Sequence, residues 1–94
     1  MTYDGISEPE LIDNLANKAV KIMQVEQGPD GKFRIYVTLT WKEGSRILET
    51  QRKRQRTWAS LDRLARHINK KYSNVPLIGL KLRGNYEFQQ NLRN

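Results

Sequence analysis

The chain has no cysteine among its 94 residues, a single histidine and three prolines. Without cysteine there is no disulfide framework, no thiolate nucleophile and no cysteine metal site, so the core alone must hold the fold. A chain of this length buries roughly 60 to 70% of the surface its unfolded form exposes, enough for one small independent core. No run of about 18 apolar residues occurs, so nothing supports a membrane-spanning helix. Met1-Thr2-Tyr3-Asp4 also lacks the basic-then-apolar pattern of an export signal, and a cytoplasmic location is the expectation. A glycine-rich phosphate loop is missing too, because Gly28, Gly31 and Gly44 all fall in turn contexts. His67 sits on a helical segment beside Arg66, Lys70 and Lys71, with no carboxylate or nucleophile near it in sequence to build a triad or a metal site. Glu8, Glu10 and Asp13 have a sufficient role in favouring the start of the first helix. These absences close most catalytic routes: no enzyme activity, cofactor, metal or small-molecule substrate is expected.

Positive charge is abundant and unevenly placed. Lys plus Arg is 17 against 10 for Asp plus Glu, a net charge of +7. Residues 1–31 carry two basic and six acidic groups, whereas residues 32–94 carry fifteen basic groups against Glu43, Glu49, Asp62 and Glu87. A one-sided positive field attracts phosphate polymers or anionic surfaces. Charged residues make up 29% and mean hydropathy is −0.78. The composition is polar, yet it contains the periodic apolar segments that disordered chains lack.

Ser7-Glu8-Pro9-Glu10 has the form of a capping box, with proline in the tolerant first turn. Leu11, Ile12, Leu15, Ala16 and Ala19 follow at helical spacing. Val20 to Gln27 reads as a strand ended by the turn Gly28-Pro29-Asp30-Gly31. In Lys32 to Trp41, Phe33, Ile35, Val37, Leu39 and Trp41 alternate with polar positions, the mark of a half-buried strand. Lys42-Glu43-Gly44-Ser45 is read as a second hairpin turn, after which Arg46 to Thr57 continues as a strand. With Trp41 opposite Arg46, Arg34 lies across from Lys53 and Tyr36 across from Gln51; a bulge at Gly44 shifts this register. Ser60 caps a second helix that buries Leu61, Leu64, Ala65, Ile68 and Tyr72 and exposes Arg63, Arg66, Lys70 and Lys71. Leu77 to Arg83 forms a last strand with Ile78, Leu80 and Leu82 inward. The expected fold is α+β: a three- to four-stranded, mainly antiparallel sheet with two helices packed on one face, in the order α-β-β-β-α-β. Residues 1–84 form a single small domain, and residues 85–94 a frayed or loosely attached tail.

In this register the open sheet face gathers the candidate binding residues Lys32, Arg34, Tyr36, Thr38, Gln51, Lys53 and Gln55, bordered by Arg52, Arg54 and Arg56. Lys and Arg neutralise phosphates, Arg forks fit guanine edges, and a two- or three-stranded ribbon enters the major groove. A solvated antiparallel face would also be polar without binding anything. Arg63, Arg66, Lys70 and Lys71 form an alternative face on the other side of the molecule. Turn, strand, basic strand and then Trp58-Ala59-Ser60-Leu61-Asp62-Arg63-Leu64-Ala65 look like the plan of the sheet-reading DNA-binding domains of the integrase arm-binding and plant AP2 types. The likeness spans residues 32–72, and the first helix and last strand depart from it.

The expected function is therefore non-catalytic binding of double-stranded DNA, in an accessory or regulatory role, with a homodimer as an added option. The alternative is a protein-interaction module that docks an acidic partner or dimerises through its first helix. RNA binding is the third option, weakened because Tyr36 is the one aromatic clearly on the open face.

Overall fold

The computed structural model describes residues 4–83. They run as β1 (Asp4–Ser7), α1 (Glu8–Ala16), β2 (Val20–Gln27), β3 (Phe33–Leu39), β4 (Lys42–Glu49), α2 (Leu61–Lys71) and β5 (Ile78–Lys81). The α+β class is as expected, but among the described residues the sheet has five strands in the order β1-β4-β3-β2-β5, it is mixed rather than mainly antiparallel because both edge strands pair in parallel, and a strand precedes the first helix. The missed strand β1 is the short segment Asp-Gly-Ile-Ser, with Ile6 its one buried apolar side chain. Four residues with one apolar position carry too little periodicity to be read. The tail expected over residues 85–94 lies outside the described residues.

The capping box forms as its sequence implies. Glu10 N–H donates to Ser7 Oγ at 3.3 Å and Ser7 N–H donates to Glu10 Oε1 at 2.9 Å. A nine-residue helix is marginal on its own in water, so packing must hold α1 in place. Leu11 and Leu15 supply that packing: they are 0% and 1% exposed, each worth about 1.5–3 kcal/mol relative to an exposed side chain. Leu11 and Leu15 are thus taken up by the core, while Ile12 on the same helix stays 37% exposed.

Alternation in the sheet selects the core face. Met23 and Val25 of β2, Phe33, Ile35, Val37 and Leu39 of β3, and Leu48 of β4 join Leu11, Leu15, Leu64, Ile68 and Tyr72 in one cluster. Both helices thus cover the same side of the sheet. Trp41 departs from the expected inward position: it lies in the β3–β4 turn, 65% exposed, with Nε1–H donating to Asn14 Oδ1 at 2.9 Å. That turn sits at Thr40-Trp41, so Lys42 already pairs with Leu39. A shift between Thr38 and Leu39 follows, with Gly44 at φ +91°. Glycine tolerates this left-handed geometry where a side chain would strain it. As a result Tyr36 faces Ile47, four residues short of the Gln51 expected there, and the strand ends at Glu49.

Candidate nucleic-acid interface

The open sheet face is not the continuous basic plane that the sequence suggests. One row across it reads Gly5, Ile47, Tyr36, Gln24 and Gly79. The next holds Arg34, Glu26 and Lys81, with Glu49 two residues beyond Ile47 on β4. Cations and carboxylates therefore alternate instead of gathering. Arg34, Tyr36 and Thr38 do share this face, but Lys32 lies before β3, and Gln51, Arg52, Lys53, Arg54 and Arg56 all fall beyond β4. The shorter turn moved the whole basic stretch past the end of the ladder. Gly5 belongs to the same face: a Cβ there would collide with the Glu49 carboxylate, so a side chain in that position would push Glu49 aside.

Beyond β4 the basic stretch forms a braced loop. The chain reverses at Gln51–Lys53, with Lys53 at φ +63°. Thr50 N–H donates to Arg54 O at 2.7 Å, Lys53 N–H to Thr50 O at 2.9 Å, and Arg56 N–H to Leu48 O at 2.9 Å. Trp58 then rejoins the sheet, exchanging backbone hydrogen bonds with Phe33 at 2.9 and 3.0 Å. Gln51, Arg52, Lys53 and Arg54 are exposed, and among the described residues no ion pair involves Arg52, Lys53 or Arg54.

Arg34 braces this loop instead of offering its charge outward. Its Nε–H donates to Gln55 Oε1 at 2.8 Å, while its two terminal nitrogens donate to the Asp30 carboxylate at 3.1 and 2.8 Å. The hydrogen bonds from Arg34, followed by that of the Lys32 N–H, hold the Asp30 carboxyl down to about 2. The same bond to Asp30 raises the Arg34 guanidinium above its ordinary value.

A chain of rings links the loop to the helices. The Arg56 guanidinium lies over the Trp58 ring, 5.0 Å from its centroid, a cation–π distance. Trp58 meets His67 at 5.2 Å, and His67 meets Tyr72 edge-on at 5.4 Å. His67 Nε2 stands 2.6 Å from Glu8 Oε1, and Tyr72 O–H donates to the same oxygen at 2.9 Å. His67 thus has the carboxylate that its sequence neighbourhood lacks, supplied from 59 residues away by the first turn of α1. No local pattern could announce a partner at that separation. Burial pushes the Glu8 carboxyl up, but the hydrogen bonds from His67 and Tyr72, with the charges of His67 and Arg56, outweigh it and leave Glu8 below its ordinary value. Burial first, and then the bond to Glu8, raise the Tyr72 hydroxyl well above the usual phenol range. The group clamps α1 to α2; among the described residues no three metal-ligating side chains come together.

A cleft of about 580 Å³ opens between the start of α1 and the loop, lined by Glu8, Glu49, Arg52 and Arg56 among others. On α2, Arg63, Arg66, Lys70 and Lys71 are exposed, as expected. Arg66 lies 3.7 Å from Asp62, while Lys70 and Lys71 occupy the last turn, where they complement the helix dipole. The sequence thus identified the basic residues of the loop but missed its shape and its anchors. Comparison of the chain with protein-family models, curated proteins and solved structures finds no match.

Proposed function

We propose that this chain is a non-catalytic double-stranded DNA-binding protein whose contact is the braced loop Arg52–Arg56, not the sheet face. The observation that supports this reading is the run of three exposed cations, Arg52, Lys53 and Arg54, held at the tip of a loop fixed at its base by Arg34, Gln55 and Trp58. A loop ordered before binding keeps more of the phosphate attraction than a mobile one, since less conformational entropy is lost on contact. Guanidinium groups at its tip can take phosphate oxygens in pairs or enter a narrow minor groove.

A duplex suits this surface better than a single strand. Single-strand binding uses aromatic faces beside the cations. Here Trp58 is buried, and the exposed Trp41 lies at the other end of β4, about 23 Å away at roughly 3.3 Å per residue. The sign-alternating sheet face, with Glu26 and Glu49 beside Arg34, argues against laying that face on phosphates.

The test is a fluorescence-anisotropy titration of a labelled duplex at several salt concentrations. Three or four phosphate contacts give a log–log salt slope of roughly −3. Charge reversal of Arg52, Lys53 and Arg54 should remove binding, while Arg63→Glu with Lys70→Glu should leave most of it. The opposite pattern moves the site to the outer face of α2, and a slope near zero rejects a nucleic-acid partner.

A further inference from the structure

The edge strand β5 differs from the rest of the sheet. Ile78 and Leu80 point to the core side, aligned with Met23 and Val25, yet they remain 36% and 43% exposed. Between them and α2 runs an apolar groove of about 310 Å³, walled by Leu61, Ala65 and Ile68. Leu61 is 39% exposed, and Leu77, just before the strand, 94%. The sheet order leaves the outer edge of β5 without a neighbouring strand among the described residues. An open edge of this kind is a template for another strand.

We infer that the occupant is a second copy of this chain, joined by antiparallel β5–β5 pairing about a two-fold axis. Side-chain alternation restricts the register. A two-fold normal to the sheet keeps each residue on its own face and sets one residue opposite its own counterpart; with Gly79 there, close to the middle of β5, Ile78 lies opposite Leu80 of the second copy. That register places Ile78 and Leu80 of both copies side by side in one apolar floor, and puts glycine where the two chains cross on the other face.

The charges beside the groove fit the same symmetry. Asp62 and Arg66 continue the α2 wall, stacking with Ala65 and Asn69 at helical spacings of three and four. They form an exposed pair at 3.7 Å, with side chains 85% and 80% accessible, which adds little within one chain. Across the two-fold axis, Asp62 of each copy can meet Arg66 of the other, because an acid and a base on one wall are self-complementary under that operation. The apolar surface available is modest, on the order of 700 Å² for both copies, below the ~1,200 Å² of a standard stable interface. An interface of that size belongs to the weak, transient class, so the test must reach high micromolar concentrations.

Sedimentation equilibrium of the full chain from about 5 to 500 µM, without DNA, reaches those concentrations. A monomer–dimer transition is expected, weakened about tenfold or more by Leu80→Glu. Arg66→Glu, a fully exposed change that leaves the core intact, should weaken it as well, and Asp62→Arg combined with Arg66→Glu should restore it, since the reversed pair is again complementary. A chain that stays monomeric throughout, a dimer indifferent to Leu80→Glu, or a failure of the double reversal to recover what Arg66→Glu loses would each overturn the inference.

Discussion

Two loops leave the sheet at the same end, the Gly28–Gly31 turn after β2 and the Thr50–Thr57 excursion after β4, and one residue holds both. Arg34 donates to Asp30 in the first and to Gln55 in the second. The first loop spends its charge internally: Asp30 is paired, Gly31 sits at φ +82°, and its N–H closes on Gly28 O at 2.9 Å. The second spends its hydrogen bonds on its base and leaves its cations at the tip facing water. Local sequence specifies the first, because Gly-Pro-Asp-Gly contains the residues that turn geometry demands. Local bonds between Thr50 and both Lys53 and Arg54 close the tip of the second, but its sequence carries no turn signature and its left-handed position is occupied by Lys53. Its shape is imposed by Trp58 returning to Phe33 and by Arg34, both long-range contacts.

Cutting the return strand should have the largest effect on this contrast. Trp58 is 8% exposed, its ring bridges Arg56 and His67, and its backbone closes the loop onto β3. Trp58→Ala is expected to cost about 3–5 kcal/mol in chemical denaturation, the usual range for a buried tryptophan. The amide of Arg56 should then lose hydrogen-exchange protection while that of Gly31 keeps it. Equal loss in both loops would mean that they form one unit and not two.

Next in size is the charge contrast. Reversing Arg52, Lys53 and Arg54 to Glu should lower duplex affinity about 100-fold or more at low salt, since three attractive contacts become repulsive. Lys32→Glu, beside the neutralised first loop, should change it less than about threefold. Comparable losses from the two would show that the field of the whole chain, and not the loop, attracts the duplex.

Arg34→Ala sharpens the comparison because it releases both loops at once while leaving their backbone bonds in place. Protection of the Lys53 amide is expected to fall further than that of Gly31, because a glycine-built turn persists without its brace. Duplex affinity should fall modestly, through a less ordered loop. If affinity falls as far as in the triple reversal, Arg34 itself touches the duplex, as its place on the sheet face first suggested.

These contrasts also explain what was legible in the sequence. The capping box at Ser7, the β2 boundaries and the start of α2 at Ser60 rest on side chains a few residues apart, and each stands where its pattern puts it. The register of β3 against β4 depended on whether the turn fell at Thr40-Trp41 or at Glu43-Gly44, alternatives that short-range patterns separate poorly. That difference of a few residues dissolved the expected basic plane, because Gln51, Arg52, Lys53 and Arg54 fell beyond the ladder. The clamp of Glu8, His67 and Tyr72 was invisible for the same reason as the loop: its members are distant in sequence and meet only through the core.

The clamp and the first loop also differ in how acid reaches them, which gives the smallest expected effect. Glu8, with an ordinary value of 4.5, is lowered by its bonds to His67 and Tyr72, and Asp30, ordinarily 3.8, is lowered to about 2 by Arg34 and the Lys32 amide. A carboxyl lowered in the folded state stabilises the fold fully above its unfolded value, and that contribution disappears as pH falls through the folded one. Thermal stability should therefore begin to decline below pH 4.5 as the Glu8 contribution is lost, with the Asp30 contribution fading from pH 3.8 down to about pH 2. Glu8→Gln should lower the melting temperature at pH 6 yet flatten the decline between pH 5 and 3, while Asp30→Asn should leave the curve above about pH 4 unchanged and flatten it from about pH 3.8 down to about 2. If Glu8→Gln leaves the pH 5 to 3 interval as steep as before, the helix-to-helix clamp is not what acid dismantles first, and the loss must be sought at Glu10 in the capping box, whose carboxyl is also held below its ordinary value by bonds with Ser7.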